Sequence, residues 1–65
     1  MYVEICWRTK DTEEGKIHTS QRMTVKEAMV VYKEQIEPYA IQAYLRYFDG
    51  WHRRVYKILK KGEGL

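Results

Sequence analysis

The chain predicts an α+β domain of order ββαββ: one mostly antiparallel four-stranded sheet with one helix packed on one face. Three observations carry this prediction. Residues 2–8 alternate apolar and polar side chains, Thr24-Val25-Lys26-Glu27 opens a run of helical periodicity, and Asp49-Gly50 lies between two strand-like runs. Alternation marks a strand with one buried face, and spacings of three and four mark a helix. Asp-Gly is a strong hairpin signal, because both residues tolerate the positive φ of a tight turn.

Each element follows in order. Tyr2 to Arg8 places Val3, Ile5 and Trp7 on one face and Glu4 and Arg8 on the other, as in a half-buried strand. Lys10-Asp11-Thr12-Glu13-Glu14-Gly15 is polar and closes on glycine, so it reads as a hairpin loop. Lys16 to Met23 resumes an extended pattern that groups Ile17, Thr19, Gln21 and Met23. Its few large apolar groups suit a short edge strand. Thr24 and Glu27 then form a capping box, each side chain serving the other's backbone N–H. Val25, Ala28, Met29, Tyr32 and Ile36 recur at helical spacing, while Lys26, Lys33, Glu34 and Glu37 face away. Pro38 pushes its predecessor out of helical geometry, so the helix is expected over 25–36. Ala40 to Phe48 forms the third strand, with Ile41, Ala43 and Leu45 aligned on one face, and Trp51 to Leu59 forms the fourth. Residues 1–61 make a single domain and 62–65 a flexible tail.

The register of the second hairpin stays open at this point. A two-residue Asp49-Gly50 loop pairs Phe48 with Trp51, Arg46 with Arg53 and Tyr44 with Val55. A three-residue loop pairs Tyr47 with Trp51 and turns the whole fourth strand over. The first is preferred because it buries less charge. It sets Tyr56 and Ile58 beside the helix and Trp51, Arg53 and Lys57 on the far side. The second sets His52, Arg54, Tyr56 and Lys60 on the far side. Either way Tyr44, Arg46 and Phe48 face away from the helix, and no second helix exists to cover them.

Size and composition bound the chemistry. Sixty-five residues make one domain, and a chain this short hides only about 60% of the surface its unfolded form exposes. Cys6 is the sole cysteine, which excludes an internal disulfide and a cysteine-rich metal centre. His18 and His52 show no ligand spacing, and no phosphate loop or paired-carboxylate motif is present, so neither metal nor cofactor is expected. Cys6 and His18 have no sequence reason to meet as nucleophile and base, and the chain is expected not to be an enzyme. Met1 leads straight into a strand-like segment with Glu4 and Arg8 in it, unlike a signal peptide. No apolar run approaches the ~20 residues needed to span a bilayer. The expected location is the cytoplasm, that of the host cell if a phage encodes the chain.

Charge is unevenly placed. Residues 1–37 carry six Lys/Arg against seven Asp/Glu, whereas residues 38–65 carry six against two. The positive field belongs to the second hairpin, where it favours anionic partners. Tyr44, Arg46, Phe48, Trp51, Arg53 and Lys57 are therefore the candidate partner-binding residues, with no catalytic, cofactor or metal site. Trp, Tyr and Arg dominate protein interfaces because they bury large rigid surfaces and still make polar contacts. The leading expectation is a small interaction protein that binds a protein partner stoichiometrically, a phage-type inhibitor or regulator. A homodimer is expected too, since a domain without disulfide or metal gains stability by association. The alternative is a nucleic-acid-binding module that stacks bases on the same rings. Trp7-Arg8-Thr9-Lys10, Gly15-Lys16 and Thr24-Val25-Lys26-Glu27-Ala28 resemble the strand–turn–strand–helix of phage integrase arm-binding domains. Those domains complete their sheet before the helix, whereas here two strands follow it, and the family is not assigned.

Overall fold

The computed structural model describes residues 1–62. It shows one small α+β domain of ββαββ order, with the edge partner of the first strand split in two. The strands are β1 (Tyr2–Thr9), β2 (His18–Thr19), β3 (Met23–Thr24), β4 (Ala40–Asp49) and β5 (His52–Lys60). All pairings are antiparallel: the order is β2-β1-β4-β5, and β3 extends the β2 edge along β1. Beyond Gly62, the expected tail lies outside the described residues.

The helix runs as predicted, with a change of pitch. Thr24 caps α1 (Val25–Val31): its hydroxyl accepts from the Glu27 N–H at 3.2 Å, and Glu27 Oε1 accepts from the Thr24 N–H at 3.2 Å. The chain continues as a π-helix over Tyr32–Ile36, where the Glu37 N–H donates to the Tyr32 carbonyl at 2.7 Å. Pro38 cannot donate the next bond, so the helix ends there. Ala28, Tyr32 and Ile36 are buried against Val3, Ile5, Ala43 and Leu45, with Val25 and Met29 packed alongside. Among the described residues, no helix is long and apolar enough to cross a membrane.

Three register shifts correct the expected faces. Cys6 pairs with Thr19 and Trp7 with His18, but Tyr2 pairs with Thr24 and Val3 with Met23, one residue out of step. Ser20 makes the break, its backbone N–H donating to the Ile5 carbonyl and its Oγ accepting from the Ile5 N–H at 2.8 Å. Thr19 and Met23 therefore lie on opposite faces rather than together. A second shift at Arg8/Thr9 buries Ala40 and leaves Ile41 45% exposed, so Ile41 does not share the buried face of Ala43 and Leu45.

The third correction concerns the hairpin. Asp49 pairs with His52 and Phe48 with Arg53, so the two-residue loop is Gly50-Trp51 and neither expected register holds. Gly50 has φ +61° while Trp51 does not enter the positive region. That is the pattern of a type II′ hairpin turn, with glycine first rather than second. Arg53 and Val55 still face away from the helix, opposite Phe48 and Arg46. Tyr56 then bulges out of the ladder, so Lys57 falls opposite Leu45 and Ile58 opposite Tyr44. Ile58 leaves the helix side and Lys57 joins it, the reverse of the preferred expectation.

Lys60 fastens the far end of β5. Its Nζ donates to the carbonyls of Ala40 at 2.8 Å and Glu37 at 3.2 Å, just past the π-helix. An ammonium there meets the negative end of the helix dipole.

Candidate functional site

The sheet has one helix on one side, and among the described residues nothing covers the other. The shortest dimension of the molecule is 17 Å, which fits one sheet and one helix layer but not a third layer. Residues of β4 alternate, so Ala43, Leu45 and Tyr47 join the core while Tyr44, Arg46 and Phe48 point outwards. Their cross-strand partners on β5 are Ile58, Val55 and Arg53.

Of the six expected site residues, the structure brings four together on this outer face: Tyr44, Arg46, Phe48 and Arg53. Trp51 sits at the hairpin tip beside them and is 99% exposed. Lys57 does not join them, because the Tyr56 bulge sets it opposite Leu45.

The charges on this face are not equivalent. Arg46 Nε and Nη2 both donate to Glu4 Oε1, at 3.2 and 3.0 Å, with both side chains about one-sixth exposed (16% and 15%). Burial pulls the Arg46 guanidinium down, but the Glu4 hydrogen bonds together with the electrostatic influence of Cys6, Glu4 and Tyr44 more than offset it and hold the group above its ordinary value. Arg54 is paired with Asp49 at 3.1 Å. Arg22 and Arg53 have no carboxylate partner among the described residues. Both sit over Phe48 instead, with guanidinium carbons 4.2 and 5.7 Å from the ring centroid. An open cleft of about 570 Å³ adjoins them, lined also by Gly50, Trp51 and His52.

Arg22, Val55 and Ile58 belong to this surface but were not among the expected residues. Val55 and Ile58 are 55% and 64% exposed, with Tyr44 half-buried between them and β1. No local signal marks Arg22: it follows the Ser20 break, which carries it across to Phe48. Cys6 lies beneath Tyr44, fully buried, and burial pushes its thiol above the ordinary range. His18 is on the opposite face, its ring stacked on Trp7 at 5.3 Å, so the two groups do not meet. Among the described residues no cluster of three His, Cys, Asp or Glu is placed to hold a metal ion.

The surface that results has two ends. One is an aromatic clamp with two unpaired guanidiniums, and the other is an apolar patch. No protein-family model, curated protein or solved structure matches this chain.

Proposed function

We propose that this chain is a non-enzymatic interaction protein that binds a protein partner stoichiometrically through the outer face of β4 and β5. It acts as an inhibitor or regulator by occupying the partner's surface. The single observation that carries this reading is the uncovered apolar centre: Val55 and Ile58 stand in solvent beside Tyr44, while the neighbouring Arg46 is neutralised by Glu4. Apolar groups flanked by charge on an otherwise polar small domain are the composition of a docking patch. The test is capture from the native host with Ile58→Asp and, on the helix side, Lys33→Asp. Loss of a stoichiometric protein with the first variant and retention with the second is the expected outcome. Equal capture by both would refute it.

One observation favours a second reading, a nucleic-acid-binding module. Phe48 has two guanidiniums at 4.2 and 5.7 Å from its ring centroid, with Trp51 exposed at the tip, and bases stack on such rings. Two phosphate contacts imply a log–log salt slope of only about −1.4 to −1.8. Tight binding of an oligonucleotide that shows at least this salt slope and depends on Phe48 or Trp51 would favour this reading over the first.

A further inference from the structure

We infer that the clamp at the hairpin tip receives a carboxylate of the partner, so that the partner's docking segment carries an acidic side chain about 13 Å from an apolar one. This rests on the protein-binding reading above. The argument begins with the guanidiniums. Arg22 and Arg53 lay their carbon centres over the Phe48 ring at 4.2 and 5.7 Å. A guanidinium held over a ring by cation–π attraction keeps N–H donors available for a carboxylate. No described carboxylate takes them, since the nearest acids on this sheet, Glu4 and Asp49, are held by Arg46 and Arg54. Each of these two unpaired forks beside one ring suits the planar, bidentate geometry of a carboxylate.

The rest of the surface sets what accompanies that carboxylate. Phe48 and Tyr44 are four residues apart on β4, about 13 Å at strand rise. Tyr44 lies opposite Ile58, beside the exposed Val55. An anionic group at the clamp therefore comes with an apolar group on Ile58. A polyanion fits less well. A nucleic-acid strand running from the clamp along this face crosses the exposed Val55 and Ile58 and the neutralised Arg46 before it reaches Lys61 at the far end, while Lys60 there is bound to two backbone carbonyls. The two guanidiniums of the clamp are set apart from Lys61 by that apolar stretch, a spacing that suits one side-chain carboxylate better than a continuous row of phosphates.

The test uses the full chain, isotopically labelled, and three probes: a capped nonapeptide with Asp at position 3 and Ile at position 7, the same peptide with Asn for Asp, and a ten-residue oligothymidylate. The Asp peptide is expected to shift the resonances of Arg22, Phe48, Arg53 and Ile58. The Asn peptide and the Arg53→Gln variant should each bind at least tenfold more weakly. Equal affinity for the Asp and Asn peptides, no binding of either, or tighter binding of the oligothymidylate would overturn the inference. Capture of the native partner separates the two levels. Loss on Ile58→Asp but not on the Arg22→Gln/Arg53→Gln double variant would sink the carboxylate clamp and leave protein binding standing. Indifference to Ile58→Asp would sink both.

Discussion

The neutralisation of Arg46 by Glu4 decides whether the outer face is apolar or basic, and a double-mutant cycle measures it directly. The perturbations are Glu4→Gln, Arg46→Met and the two combined. Two N–H donors converge on one carboxylate oxygen at 3.0 and 3.2 Å, with both side chains about one-sixth exposed. At an effective dielectric of 20 and about 4 Å, the bare attraction is about 4 kcal/mol. Desolvation and rotamer entropy offset roughly half of it, and hydrogen bonds to charged groups contribute about 1.5–3 kcal/mol net. The expected coupling is therefore ~2 kcal/mol, above the ceiling of ~1 for exposed pairs and below the ~3–5 for breaking a buried one. A domain of this length has roughly 3–10 kcal/mol of stability in total, so each single variant should still fold.

Urea unfolding followed by tryptophan fluorescence and circular dichroism gives the four free energies. A coupling near 2 kcal/mol supports a neutral centre to the face. A coupling below ~0.5 kcal/mol would mean that Arg46 is electrostatically free. The face would then be basic throughout, and the case for a protein partner over nucleic acid would lose its main support.

Three further outcomes are expected. Thr24→Ala should cost ~1 kcal/mol by removing the helix cap, while Leu45→Ala, at a fully buried site, should cost ~2–5 kcal/mol; equal effects in thermal melts would mean that the core lies elsewhere. Stability should fall at alkaline pH. Burial raises Cys6 above its ordinary 9.0 and Tyr32 and Tyr44 above 10.0, so the folded state holds these protons more tightly than the unfolded one. Their contribution is complete below pH about 9 and is lost as pH rises through the folded-state values. Urea midpoints from pH 7 to 11 check this: Cys6→Ala should delay the onset, and a flat profile would contradict it. Finally, the uncovered face should make the chain self-associate, with light scattering reporting a mass above 7.9 kDa that Val55→Asp abolishes. A strict monomer at high concentration would leave that face to a foreign partner alone.

Much of the fold is legible because its signals are local. The capping box, the apolar stripe from Val25 to Ile36 and Pro38 each act within a few residues, and together they bound the helix. The alternation of Val3, Ile5 and Trp7 does the same for β1. The register is not local. Ser20 steps the edge strand by one because its hydroxyl and amide both serve Ile5 across the sheet. Tyr56 bulges with its ring edge-on to Tyr47, centroids 6.2 Å apart, a contact between strands that no spacing rule encodes. The turn was misplaced by one residue for a related reason. Asp-Gly scores as a pair, yet here glycine alone supplies the positive φ, and the tryptophan after it carries no turn signal. The candidate site was legible in its aromatic and arginine content. Its charge balance was not, because the Glu4–Arg46 pair joins two strands far apart in sequence.

The irregularities of β5 connect the stability of the fold to its proposed role. β5 is an edge strand of nine residues with Val55, Tyr56 and Ile58 exposed, a template on which another strand could pair. Two bulges, before and after the Lys57–Ile58 pairs, interrupt the row of free backbone groups. Arg53, Arg54, Lys57 and Lys60 add repulsion against a second copy of the same edge. Both devices blunt pairing along the edge, and the first also builds the face. Without the bulge at Tyr56, Ile58 would turn to the helix side, and Lys57 would stand opposite Tyr44 in place of the apolar patch. The distortion that protects the edge from its own kind therefore also makes the outer face apolar where a partner would dock. Deleting Tyr56 separates the two roles: it restores regular pairing while leaving Lys57 opposite Leu45 and Ile58 opposite Tyr44, so the variant should aggregate more readily in light scattering yet keep partner capture, and loss of capture by a folded variant would refute this.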